Sequence, residues 1–93
     1  MLTIVAKIHA KKGMEQHVYD ELKKLIEPTR SEKGCIQYDL HQSIQDPTIF
    51  IFYENWETKP LWEAHMESND VKKWRASSGD TVESFELYQL QKK

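Results

Sequence analysis

The sequence predicts an α+β fold in which four short strands form one antiparallel sheet and two helical segments cover it. Two periodicities carry that expectation: apolar residues alternate in four short stretches and recur every three or four positions in two others. A third observation, a third strand that is apolar on both sides, predicts that two copies pair.

Leu2 to Ala10 puts Leu2, Ile4, Ala6 and Ile8 on one face and Thr3, Val5, Lys7 and His9 on the other, the pattern of a strand. Lys11, Lys12 and Gly13 turn the chain. From Met14 to about Lys33, Met14, Val18, Leu22, Leu25, Ile26 and Thr29 stack along one side of an amphipathic helix. Pro28 should loosen its last turn, because it removes one hydrogen bond and crowds the carbonyl of Lys24. Gly34 is expected to close the helix as a left-handed cap.

Cys35 to Ser43 alternates with Ile36, Tyr38 and Leu40 on one face and Gln37, Asp39 and His41 on the other. The turn residues of QDPT then lead into IFIFYENW, which makes a hairpin. Thr58 should cap a short helix over KPLWEAHMES, with Pro60 tolerated in the first turn where its missing amide has no partner to lose. Ser68 to Asp70 reads as a break and a fresh cap before a second short helix through Val71 and Trp74. TVESFELYQL alternates again and forms the last strand. The resulting order, β-α-β-β-α-β, is that of a ferredoxin-like unit.

In the third strand Ile49, Ile51 and Tyr53 point one way and Phe50, Phe52 and Trp56 the other. Helices are available for only one face, so Phe50, Phe52 and Trp56 are expected to bury themselves against a second copy. At about 2–3 kcal/mol per aromatic, three of them per subunit favour a face-to-face homodimer.

Length and composition limit the alternatives. Ninety-three residues form a single domain over 1–93, too small for a generous core. A net charge of −2 with dispersed basic residues offers no field for nucleic acid. Cys35, the lone cysteine, forms no internal disulfide and suits a reduced cytoplasmic setting, and no stretch resembles a signal peptide or a membrane span.

The stretch FIFYENWETKPLWEAH holds five aromatics and ends on His65. The bland reading of His65 is a core histidine satisfied by a neighbour. The sharper reading rests on its company: Tyr38, Tyr53, Asn55, Trp62 and Trp74 could line a mostly aromatic pocket with a few polar groups, suited to a flat organic ligand. A histidine there could act as a base. The four histidines lack the close spacings of a metal site, so none is expected, and no glycine-rich fingerprint points to a flavin or nicotinamide. Cys35, with no base assigned to it, reads as a small buried residue. An RNA-binding reading of the aromatic third strand fails for want of the basic and glycine-rich pattern it needs.

KKG before the first helix, EKGCIQYDLHQ, FYENWETKPLWEAHMES and ELYQL together resemble the antibiotic biosynthesis monooxygenase (ABM) family, in its small quinol-monooxygenase-like branch. The most specific elements are Tyr53, Glu54 and Trp56 followed nine residues later by His65, and the Gly34, Cys35, Tyr38 stretch. The resemblance covers nearly the whole chain. It implies a dimeric α+β barrel and oxidation of a quinol or polycyclic phenol by dioxygen, with no cofactor. In that setting His65 would be the base or the substrate's hydrogen-bond partner, Asn55 or Tyr53 would polarise the developing carbonyl, and Tyr38, Trp62 and Trp74 would form walls. Haem-degrading relatives use an Asn, a Trp and a His where this chain offers Ala6, His65 and Ala76, which disfavours that branch. The alternative is a non-catalytic ligand-binding or stress-associated dimeric barrel in which His65 only satisfies a buried partner. Isomerase or lyase action would need a more basic pocket than Arg30 and Arg75 provide.

Overall fold

A computed structural model describes residues 1–93. The strand Leu2–Ala10 (β1) occupies the middle of the sheet, because its alternation gives it a fully apolar side: Ile4, Ala6, Ile8 and Ala10 are all buried. Two helices follow, Glu15–Lys23 (α1) and Ile26–Arg30 (α2), then Cys35–Gln42 (β2) and Ile49–Trp56 (β3). The chain ends with Lys59–Met66 (α3), Asn69–Ser77 (α4) and Val82–Leu90 (β4). The sheet order is β2-β3-β1-β4 with every pair antiparallel, the predicted ferredoxin-like arrangement. No helix is long and apolar enough to cross a membrane.

The single helix expected from Met14 to Lys33 is two. Pro28 has no amide to give the carbonyl of Lys24, and the chain breaks at Lys24 and Leu25, where Leu25 N–H turns back to the carbonyl of Leu22 at 3.0 Å. The apolar stripe survives the break: Val18, Leu22, Leu25 and Thr29 are buried together against the sheet. Gly34 is left-handed as expected, with φ +89, but α2 already ends at Arg30, so the glycine serves the entry to β2. It is needed there for a second reason. A Cβ at Gly34 would lie 2.5 Å from Cδ1 of Leu61 on α3.

Two corrections concern which way residues face. In β2 the register slips between Cys35 and Gln37, so Ile36 is the extra residue of a bulge and is 55% exposed, while Cys35 joins Tyr38 and Leu40 on the helix side. In β3 the two apolar sides have the reverse of the expected assignment. Phe50, Phe52 and Trp56 lie under the helices and are buried in this chain's own core, so they are not available as a dimer surface. Ile49, Ile51 and Tyr53 share the open face with Thr3, Val5, Lys7 and His9. The physical reason is volume. The space between helices and sheet takes the larger side chains, and Phe50 and Phe52 fill it by stacking on Tyr19 and Tyr38 at 6.3 and 4.5 Å.

The last two helices start as their sequences say. The Thr58 hydroxyl accepts from Leu61 N–H and the Ser68 hydroxyl from Val71 N–H, each at 3.3 Å. α3 buries Trp62 and His65, whereas α4 buries only Val71.

Candidate active site

Between the helix side of the sheet and the helices lies a cavity of about 40 Å³, lined by 14 residues, 11 of them hydrophobic. Tyr38 from β2, Phe52 and Glu54 from β3, His65 from α3 and Trp74 from α4 reach it. Four titratable side chains line this small apolar space: Tyr38, Glu54 and His65, all buried, and Arg75, which is exposed and donates to the carbonyl of Met66.

His65 sits one turn after Leu61 on the inner side of α3 and is 3% exposed. Its imidazole is wedged between Trp56, 4.8 Å away centroid to centroid, and the edge of Tyr38 at 5.6 Å. Nδ1 lies 2.8 Å from Oε1 of Glu32, in the turn between α2 and β2. In the neutral imidazole whose Nδ1–H donates to Glu32, the lone pair is on Nε2, an atom engaged by no protein group, on a ring that lines the cavity. A carboxylate behind an imidazole is the arrangement that orients a histidine base.

Glu54 is 4% exposed. The indole N–H of Trp56 donates to its Oε1 at 2.9 Å, and no protein group donates to Oε2. Burial raises its carboxyl to about 7, the Trp56 hydrogen bond opposes the rise, and the charge of Glu32 adds to it. Near neutrality this group can therefore either hold or release a proton. Burial, reinforced by the charge of Glu54, also pushes the Tyr38 phenol far above its usual range, so Tyr38 is a neutral wall. Cys35 is raised too, first by burial and then by Glu54 and Glu32, the opposite of what a nucleophilic thiol needs.

The predicted pocket residues divide accordingly. Tyr38 and Trp74 line the cavity with His65. Trp62 is buried beside it in the core without reaching it, and its indole nitrogen has no protein partner. Tyr53 and Asn55 are on the wrong side of the sheet: Tyr53 pairs with Val5 and Asn55 with Thr3, across the strand from the cavity. The Asn55 carbonyl accepts from the Thr3 hydroxyl at 2.6 Å and its amide donates to Gln37 at 2.8 Å. Neither Tyr53 nor Asn55 can polarise a group bound beside His65 in the same chain.

Two residues of the site were not among the predicted ones. Glu54 had a signal, since it is in phase with Phe50, Phe52 and Trp56 along β3 and so had to share their side of the sheet. Glu32 had none, because only the fold brings the α2–β2 turn under α3.

A model of the antibiotic biosynthesis monooxygenase family matches residues 1–77 of the chain. The chain belongs to this family. Human N-terminal EF-hand calcium-binding protein 1 is 30% identical over 66 residues, which cover 71% of this chain but only 18% of that protein. The chain thus spans under a fifth of the length of that relative. The Escherichia coli protein named "Probable quinol monooxygenase YgiN" is 29% identical over 94 aligned positions, covering 89% of this chain and 90% of its own. Among solved structures, a Pseudomonas aeruginosa protein superposes with a TM-score of 0.94 at 31% identity, covering 98% of this chain and 92% of that one.

Proposed function

We propose that this ABM chain is a monooxygenase that oxidises a quinol or polycyclic phenol with dioxygen, with His65 as the base. The observation that carries the reading is the Glu32–His65 pair, whose free Nε2 belongs to a ring facing the same cavity as Glu54. The likeness to a protein named "Probable quinol monooxygenase YgiN" supports a quinol as the substrate class.

The chemistry needs proton transfer in both directions. A phenol with a pKa of about 10 is ionised to only about one part in a thousand at pH 7, so removing its proton to Nε2 creates the electron-rich phenolate that reduces dioxygen. For a polycyclic phenol whose keto form carries a ring methylene, the sum is CH2 + O2 → C=O + H2O. The four electrons come from the carbon, one oxygen atom stays on it, and the other leaves as water. Glu54 in its protonated form can supply the proton that lets the O–O bond break, and the apolar walls keep bulk water from the intermediates.

The homodimer belongs to this proposal, moved to the other side of the sheet. Val5, Ile49, Ile51, Tyr53 and Tyr88 share the open face, and no helix covers them. The test of the activity is dioxygen uptake by metal-stripped protein with a panel of quinols and polycyclic phenols. Uptake above the autoxidation blank that disappears in a folded His65→Gln variant supports the reading. Undiminished uptake in that variant would assign His65 to packing alone, the role of a core histidine that Glu32 merely satisfies.

A further inference from the structure

A space of about 40 Å³ holds little more than a water, whereas a site for a drug-sized aromatic is several hundred Å³. If the proposed substrate class is right, the cavity must open, and the molecule indicates where. A second, solvent-facing cleft of about 570 Å³ lies between the end of α1 and α4, with Glu21, Lys24, Asp70, Lys73 and Ser77 around it. Leu25 and Trp74 are the two residues that line both this cleft and the inner cavity. They are the partition between them.

The two partition residues differ in how firmly they are held: Leu25 is buried, with its N–H bonded to Leu22 and its carbonyl accepting from Thr29, whereas Trp74 is the looser of the pair. Leu25 sits at the break that Pro28 imposes on the first helical segment. Trp74 is half-buried, its indole nitrogen makes no hydrogen bond, and its ring leans at 56° on Phe85, itself an exposed residue of the edge strand β4. Val71 is the one buried residue of α4 and Arg75 ties the helix to the Met66 carbonyl on α3, so a rotation of the half-buried Trp74 side chain is a smaller change than displacing the whole helix.

We infer that the ligand enters between α1 and α4, that Leu25 and Trp74 form the gate, and that moving Trp74 merges cleft and cavity into one elongated site. The inference rests on the proposed phenol chemistry for its substrate class and narrows it. The ligand is a flat molecule of two or more fused rings whose phenolic end reaches His65 and Glu54 and whose far end carries polar substituents. Those substituents remain among Lys24, Lys73 and Ser77. Lys24 is held by Glu21 at 3.1 Å, while Lys73 has no carboxylate within ion-pair distance.

6-Hydroxy-2-naphthoate, with a phenol at one end and a carboxylate at the other, is a suitable probe, followed by stopped-flow fluorescence and by amide shifts of labelled protein. Expected are shifts at Leu25, Lys73, Ala76 and Ser77 together with His65, an association rate at least tenfold faster in Trp74→Leu, and one at least tenfold slower in Ala76→Trp. Ala76 is exposed and lines the cleft, so the new indole fills the entrance without entering the core. Absence of binding, shifts confined to the open sheet face, or an association rate indifferent to Ala76→Trp would each overturn the gate. Binding with the expected rates but without dioxygen uptake would retain the gate and remove the monooxygenase reading, because the rates do not depend on turnover.

Discussion

The two faces of the sheet are built from the same strands and treat polar residues in opposite ways. On the helix side Glu54 and His65 are nearly inaccessible, and each retains one atom that no protein group engages. On the open side Thr3, Asn55, Gln37, Asp39 and Arg30 form an unbroken chain of hydrogen bonds, each member satisfied by the next. The Gln37 amide, and then Arg30, hold the exposed Asp39 carboxyl below its usual range, whereas burial holds Glu54 well above it. A polar group completed by its neighbours supports structure, and one left partly open in an apolar space is available for chemistry.

Substitutions on the two faces should therefore separate. The largest effect is expected for His65→Gln, which keeps a polar side chain but no base: turnover should fall at least a hundredfold, measured as dioxygen uptake on folded protein. Next is Gly34→Ala, which places a side chain at φ +89 and against Leu61; a loss of about 2–4 kcal/mol is expected in denaturant unfolding.

Glu54→Gln tests the buried carboxyl through its pH dependence. Because its folded value is raised to about 7, the folded state keeps a proton that the unfolded chain releases at ordinary carboxylate pH. The stabilisation is thus complete below that range and is lost as pH rises through about 7. The span corresponds to roughly 3 kcal/mol for a group this buried, so the variant should show a flatter stability curve and exceed the wild type in alkaline solution. Identical slopes in the two proteins would return Glu54 to an ordinary carboxylate. The smallest effect is expected for Asn55→Ala, which removes two hydrogen bonds of the open-face chain: about 1–2 kcal/mol of stability, with kcat changed less than twofold.

Much of the fold was legible because it is written in local periodicity. β1, β4, the capped starts of α3 and α4 and the apolar stripe from Val18 to Thr29 needed only alternation, helical spacing and capping chemistry. His65, Tyr38 and Trp74 were identifiable as pocket residues by the same logic, since the helix period turns His65 inward and the strand period turns Tyr38 toward the helices. Tyr53 and Asn55 were misplaced although β3 alternates without fault. Alternation states that Tyr53 and Phe52 face opposite ways, not which of the two faces the helices.

What the sequence determined by itself was therefore the order of elements, their ends and the two sets of residues on each strand, because each of these depends on interactions within a few residues. Only the tertiary structure decided which set each side of the sheet would receive. It buried Phe50, Phe52 and Trp56 in the chain's own core, pushed Ile36 out on a bulge and brought Glu32 to His65. These outcomes depend on filling one shared volume at close-packed density, and that volume exists only once strands and helices from distant parts of the chain have met.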